Sequence, residues 1–270
     1  MLEKAWQNVQ DTCPLIHSIT NYVTVNDCAN VLLAAGASPI MADDAAEVAE
    51  ITALCKATVI NIGTLNKRTV ESMLIAGKEA NRLNHPVILD PVGAGASKLR
   101  TETAKKLLNE INFTLIRGNI SEIKTLALGS GKTLGVDASL TDKVTDDNLS
   151  ETITYLKEFS KQTGAVIAVS GAIDIVTDAS DSYVIKNGHP AMSKITGSGC
   201  MLSCLCAAYI AANPNAQLES IATAFVLMGL AGEKAAQISS STGSIRTNIL
   251  DEISNMTALD LRAGAQIVKF

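Results

Sequence analysis

The chain has 270 residues, room for one large domain or two modest ones at the ~100–200 residues a domain usually takes. Hydrophobic residues make up 47% and charged residues 18%, which excludes a disordered, collagen-like or coiled-coil chain. A net charge of -5 and an aromatic content of 3% argue against nucleic acid or an anionic membrane as the main partner.

In chain order, Met1-Leu2-Glu3-Lys4-Ala5-Trp6 opens an amphipathic helix and lacks the regions of a secretory leader. Pro14-Leu15-Ile16-His17-Ser18-Ile19-Thr20-Asn21 has no regular period and reads as an apolar loop packed over a ligand or another subunit. Asp43 and Asp44 precede a helical stretch over 45–54 and are placed to cap it. Residues 58–63 read as a buried strand, followed by a helix over about 66–83. The next strand, 86–90, ends in the carboxylate of Asp90, before the loop Gly93-Ala94-Gly95-Ala96 and a helix over 102–112.

A strand over 113–117 leads to a helix that begins at Ser121-Glu122. The polar, glycine-bearing stretch 129–141 is short for a domain linker. Residues 165–169 form an apolar run closed by Ser170-Gly171, and 174–178 with 182–186 read as a hairpin. From 199 to about Asn255 the pattern is helical, broken at Asn213-Pro214-Asn215. Unbroken apolar strands separated by helices imply one α/β domain over 1–270. Its mostly parallel sheet is covered on both faces, with functional residues beyond the carboxyl ends of the strands.

The six cysteines form no disulfide framework: Cys13, Cys28 and Cys55 are scattered, while Cys200, Cys204 and Cys206 crowd one segment. A reducing cytoplasm is the expected location. The apolar stretches 200–212 and 221–231 fall short of the ~20 residues that span a bilayer. Cys204 and Cys206 read as buried hydrophobes, and helical geometry puts Cys206 off the face of Cys200, against a zinc site. His17, His85 and His189 read as structural histidines.

Three glycine signals separate. Gly131-Lys132-Thr133 looks like the end of a Walker A loop, but Leu126 stands where that motif needs glycine. Gly93-Ala94-Gly95 follows a strand, yet Lys98 replaces the last glycine of a dinucleotide fingerprint. Thr196-Gly197-Ser198-Gly199-Cys200 runs straight into an apolar helix, whose free first-turn N–H groups and dipole favour an anion. Cys200 sits in that first turn, where the helix field is expected to lower its pKa. Asp90 and Glu122 end or follow core strands at the same sheet edge, as hard oxygen ligands for Mg²⁺ against phosphates. Glu122 also suits a helix cap.

Six segments together resemble the hydroxyethylthiazole kinase family of ribokinase-like enzymes. They are His17-Ser18-Ile19-Thr20-Asn21, Gly36-Ala37-Ser38-Pro39-Ile40-Met41, Asn61-Ile62-Gly63-Thr64, Ile88-Leu89-Asp90-Pro91-Val92-Gly93-Ala94-Gly95-Ala96, Ile116-Arg117-Gly118-Asn119-Ile120-Ser121-Glu122 and Thr196-Gly197-Ser198-Gly199-Cys200. The resemblance implies a ribokinase-like three-layer sandwich with helices on both faces of a mostly parallel sheet. It implies transfer of the ATP γ-phosphoryl group to the primary alcohol of 4-methyl-5-(2-hydroxyethyl)thiazole in thiamine synthesis or salvage. Mg²⁺ dependence and a homotrimer with thiazole sites between subunits belong to the same expectation.

By position, the resemblance makes Met41 and Gly197 thiazole contacts with Asn21 nearby. It makes Arg117 and Ser170 contacts to the ATP phosphates and Asp90 and Glu122 the metal-side acids. Gly197, Ser198, Gly199 and Cys200 carry the transfer. Most ribokinase-like enzymes end the glycine loop in aspartate, and the thiazole kinases resemble this chain in having cysteine. That residue disfavours a hydroxymethylpyrimidine kinase and a repair enzyme for hydrated nicotinamide cofactors. A non-catalytic nucleotide-binding module is the alternative of a different class, and a nicotinamide oxidoreductase fails on its fingerprint.

Overall fold

Residues in the central strands turn alternately to two dry cores. Val59, Ile88 and Leu115 enter one core, while Ile60, Leu89 and Ile116 enter the other. Successive side chains of a strand point to opposite faces, so this alternation needs apolar cover on both sides. The computed structural model describes residues 1–128 and 143–270. The Gly131-Lys132-Thr133 loop and the whole 129–141 stretch lie in the gap between, outside the described residues.

The strands are β1 (Leu15–Ile19), β2 (Ser38–Ile40), β3 (Ala57–Asn61), β4 (Val87–Asp90), β5 (Leu115–Gly118), β6 (Val166–Val169), β7 (Asp174–Thr177), β8 (Ser182–Ile185) and β9 (Ile267–Lys269). They make one sheet in the order β2-β1-β3-β4-β5-β6-β7-β8-β9. Pairings from β2 to β6 are parallel, and β7, β8 and β9 extend the sheet antiparallel. One face is covered by α1 (Leu2–Thr12), α2 (Val25–Ala34), α8 (Ser198–Ala212), α9 (Gln217–Ile238), α10 (Thr242–Asn255) and α11 (Ala258–Gly264). The other carries α3 (Val48–Leu54), α4 (Lys67–Arg82), α5 (Lys98–Glu110), α6 (Ile120–Leu128) and α7 (Leu149–Thr163).

The sequence expectations hold for the hairpin β7–β8 and for the helix break at Asn213–Asn215. Several differ. The stretch 14–21 is a buried strand, β1, because its polar His17 finds partners indoors: Nδ1 on Thr52 and Nε2 on the Ala42 carbonyl. Helix α3 starts at Val48, and Asp44 instead closes the preceding turn through the Ala46 N–H, while Arg68 faces Asp43 and Asp44. Helix α5 begins at Lys98, where the Ser97 hydroxyl caps it by accepting from Arg100 N. Helix α9 runs 22 residues and is long and apolar enough to cross a bilayer, yet 72% of its most apolar window is buried in the fold. Beyond Asn255 lie α11 and the edge strand β9.

Asn213 ties the carboxyl end of α8 to α1. Its Nδ2 donates to the Tyr209 and Ala5 carbonyls, and its Oδ1 accepts from Asn8. Asn213→Ala is expected to cost ~1–3 kcal/mol by leaving these buried partners short of hydrogen bonds, as read by chemical denaturation. Its KM for substrate should be unchanged.

Candidate active site

The strand order reverses around β1, whose neighbours are β2 and β3. Open α/β sheets bind ligands in the crevice outside the carboxyl ends of the strands at such a point. Five polar residues stand there: Asn21 just past β1, Asn61 closing β3, Asp90 closing β4, Arg117 in β5 and Ser170 after β6. Helix α8 aims its amino end at the same edge.

Asp90 is wholly buried. Its Oδ2 accepts from Asn61 Nδ2 at 2.9 Å and from the Ser203 hydroxyl at 2.7 Å, and Arg117 Nη1 lies 3.7 Å away. Its other oxygen, Oδ1, has no hydrogen-bond partner among the described residues, and neither does the buried Nε of Arg117. Burial pushes the Asp90 carboxyl up to about 6 against the pull of Arg117 and these donors, and the nearby Glu122 charge adds to the rise. The second guanidinium arm of Arg117 donates to the Ser170 hydroxyl.

Two glycines permit this approach. A Cβ on Gly199 would lie 2.7 Å from Arg117 Nη1, so glycine lets the guanidinium rest against the first turn of α8 without being displaced. Gly197 has φ +94° and sits against the Thr24 side chain. No side chain caps α8, which leaves its first N–H groups without a side-chain acceptor.

Cys200 is buried in that first turn, with Sγ 3.2 Å from Asn21 Nδ2 and 3.3 Å from Asn61 Nδ2. The expected depression of its pKa does not occur. Burial raises the thiol, and the Asp90 carboxylate raises it further, against the lowering by hydrogen bonds from Thr24 and Asn21. Cys204 is raised by its hydrogen bond to Cys28 and by burial, and burial pushes Cys206 up to about 12. Among the described residues no three His, Cys, Asp or Glu side chains are grouped to hold a metal.

Glu122 serves as the helix cap that the sequence suggested. Its Oε2 accepts from Asn119 N while Asn119 Oδ1 accepts from Glu122 N, a reciprocal cap that starts α6. Its Oε1 accepts from Gly93 N at 2.8 Å, which anchors the loop after Asp90.

A cavity of about 510 Å³ opens beside this network, lined by Arg117, Ser170, Ser198 and Gly199 with Asp174 and Met228 farther along. Burial pushes Asp174 up to about 7, against its bond from Gly171 N and the pull of Arg117. A larger groove, about 1020 Å³, lies at the opposite ends of the strands near His85, Thr114 and Glu219 and contains none of the expected site residues. Asn21, Asp90, Arg117, Ser170 and Cys200 thus come together, with Glu122 bordering them. Met41 follows β2, partly buried against the α8-side core and outside the hydrogen-bond network. Sequence reasoning assigned no role to Asn61 or Ser203, although a polar residue closing an apolar strand was a readable signal.

The hydroxyethylthiazole kinase family model matches residues 6–258. The chain belongs to the hydroxyethylthiazole kinase family. A relative of that name from Clostridium acetobutylicum is 61% identical over 259 residues, 95% of each chain. The solved hydroxyethylthiazole kinase of Pyrococcus horikoshii OT3 superposes with a TM-score of 0.90 at 33% identity, covering 100% of this chain and 98% of that one. A ribokinase-like superfamily protein from Enterococcus faecalis shares the fold, with a TM-score of 0.64 at 12% identity over 94% and 89% of the two chains. The kinase is therefore an α/β enzyme of ribokinase-like fold.

Mass-spectrometric alkylation tests the environment of the thiol. In the ligand-free kinase Cys200 is expected to react far more slowly than the exposed Cys13, with its rate rising at a higher pH than for a free cysteine. A Cys200 midpoint below that of free cysteine would contradict the burial argument.

Proposed function

We propose that the kinase transfers the γ-phosphoryl group of ATP, with Mg²⁺, to the primary alcohol of 4-methyl-5-(2-hydroxyethyl)thiazole. The observation that carries this reading is the convergence of Cys200, Asp90 and Arg117 at the uncapped amino end of α8, beside a cavity. In this reading the cavity takes the nucleotide, and Arg117 and Ser170 hold its phosphates. The first-turn amides of Gly197–Cys200 face the charge that gathers on the phosphoryl group in transit.

Asp90 Oδ1 fits a cation, because a buried carboxylate oxygen without a donor is satisfied by one. Asp90 and Glu122 would hold Mg²⁺, which draws its remaining ligands from phosphate and water as that ion usually does. Mg²⁺ supplies charge neutralisation along the phosphates. Cys200 places the alcohol: its raised pKa leaves it a thiol near neutrality, and phosphoryl transfer depends mainly on positioning and electrostatics. Met41 and Gly197 face the thiazole ring.

Single-domain organisation over 1–270, a homotrimer and a cytoplasmic location complete the reading. One nine-stranded sheet supports the first, and six free cysteines suit the last. Tyr22 and Val23, directly after Asn21 and 58% and 62% exposed, offer an apolar rim for a neighbouring subunit to cover. Val23→Asp is expected to dissociate the trimer in light scattering and to raise the KM for the thiazole.

Detection of thiazole phosphate by mass spectrometry tests the assignment, with hydroxymethylpyrimidine as the control acceptor. Product from the pyrimidine alone would overturn it, and ATP binding without any phosphorylated alcohol would select a non-catalytic module. Arg117→Lys should lower kcat by ~10²–10³, the usual loss when a transition-state donor is misplaced. Unchanged turnover in both Cys200→Ala and Cys200→Asp would remove Cys200 from the mechanism.

A further inference from the structure

Asn61 closes β3 with every hydrogen-bonding position of its amide in use. Oδ1 accepts from Gly63 N at 2.9 Å and from Asn21 Nδ2 at 3.1 Å. Nδ2 donates to Asp90 Oδ2 at 2.9 Å and to Cys200 Sγ at 3.3 Å. The amide cannot be turned over, since a backbone N–H only donates and an ionised carboxylate only accepts. Asn61 is wholly buried, so no water competes for these positions.

The sulfur is equally constrained. Asn21 Nδ2 also donates to it, while Asn21 Oδ1 is held by Val23 N and the Thr24 hydroxyl. Thr24 borders the same thiol. Two amide hydrogens therefore face Sγ from two different elements and hold the sulfur in place.

We propose that Asn61 is a positioning residue that locks the Cys200 sulfur and the Asp90 carboxylate into one frame and acts on turnover through Cys200. This rests on the kinase reading above. One amide thereby joins the acceptor side of the reaction to the carboxylate on the phosphoryl side. Misplacement by about 1 Å can cost about 10² in rate, so the effect belongs in kcat and not in acceptor binding.

A double-mutant cycle with Asn61→Ala and Cys200→Ala, read by thiazole-phosphate formation, tests the coupling. In the otherwise unaltered enzyme Asn61→Ala should lower kcat ~10–100-fold, with KM for the alcohol within about threefold. In the Cys200→Ala background the same substitution should change kcat by less than about threefold. Equal losses in both backgrounds, or a loss confined to KM, would overturn the proposal. If thermal unfolding shows that Asn61→Ala does not fold, Asn61→Ser takes its place in the cycle, keeping a hydroxyl for the Gly63 N–H. Wild-type enzyme that makes no thiazole phosphate would sink the activity assignment and this inference with it. Normal wild-type turnover without coupling would sink the role of Asn61 alone.

Discussion

A carboxylate sealed from water at the end of β4 is the constraint around which the site is built. An unpaired charge of that kind is costly in a protein interior, and it persists only where donors surround it. Asn61, Ser203 and Arg117 supply them, each from a different element: β3, α8 and β5. Gly199 in the first turn of α8 leaves room for Arg117 there, where a Cβ would press on its guanidinium. The bonds to Asp90 therefore dictate how β3, β4, β5 and α8 meet.

The balance at Asp90 is incomplete, and that incompleteness is the chemical content of the site. One carboxylate oxygen and one guanidinium nitrogen lack partners among the described residues, and Arg117 lines a cavity next to uncapped helix amides. Groups of opposite sign left unsatisfied side by side suit a ligand that carries both, such as a cation on a polyphosphate. Cys200 adds no charge to this arrangement. Its burial keeps it neutral, and its neighbours hold it still.

Much of this was readable from residue order. Asp90 and Glu122 stood out because carboxylates ended or followed otherwise apolar strands, and Gly197–Cys200 because small residues opened an apolar helix, while Arg117 and Ser170 were marked only by the family resemblance. Other features needed coordinates. The strand β1 was hidden because His17 and Ser18 interrupt its apolar run, and only the fold reveals that His17 is satisfied by Thr52 and Ala42. The pKa of Cys200 was misjudged because the helix start was visible in sequence while its burial beside Asp90 was not. Asn61 was read as part of a buried strand and given no role, since its partners lie 29, 40 and 139 positions away. The edge strand β9 is three residues long, too short to show a period.

The most direct measurement is a crystal structure of the kinase with a non-hydrolysable ATP analogue, Mg²⁺ and the thiazole alcohol. The account expects the terminal phosphate against the first turn of α8 beside Arg117, the metal at Asp90 and the alcohol oxygen next to Cys200. Nucleotide bound instead in the groove near His85 and Glu219, at the other ends of the strands, would contradict it.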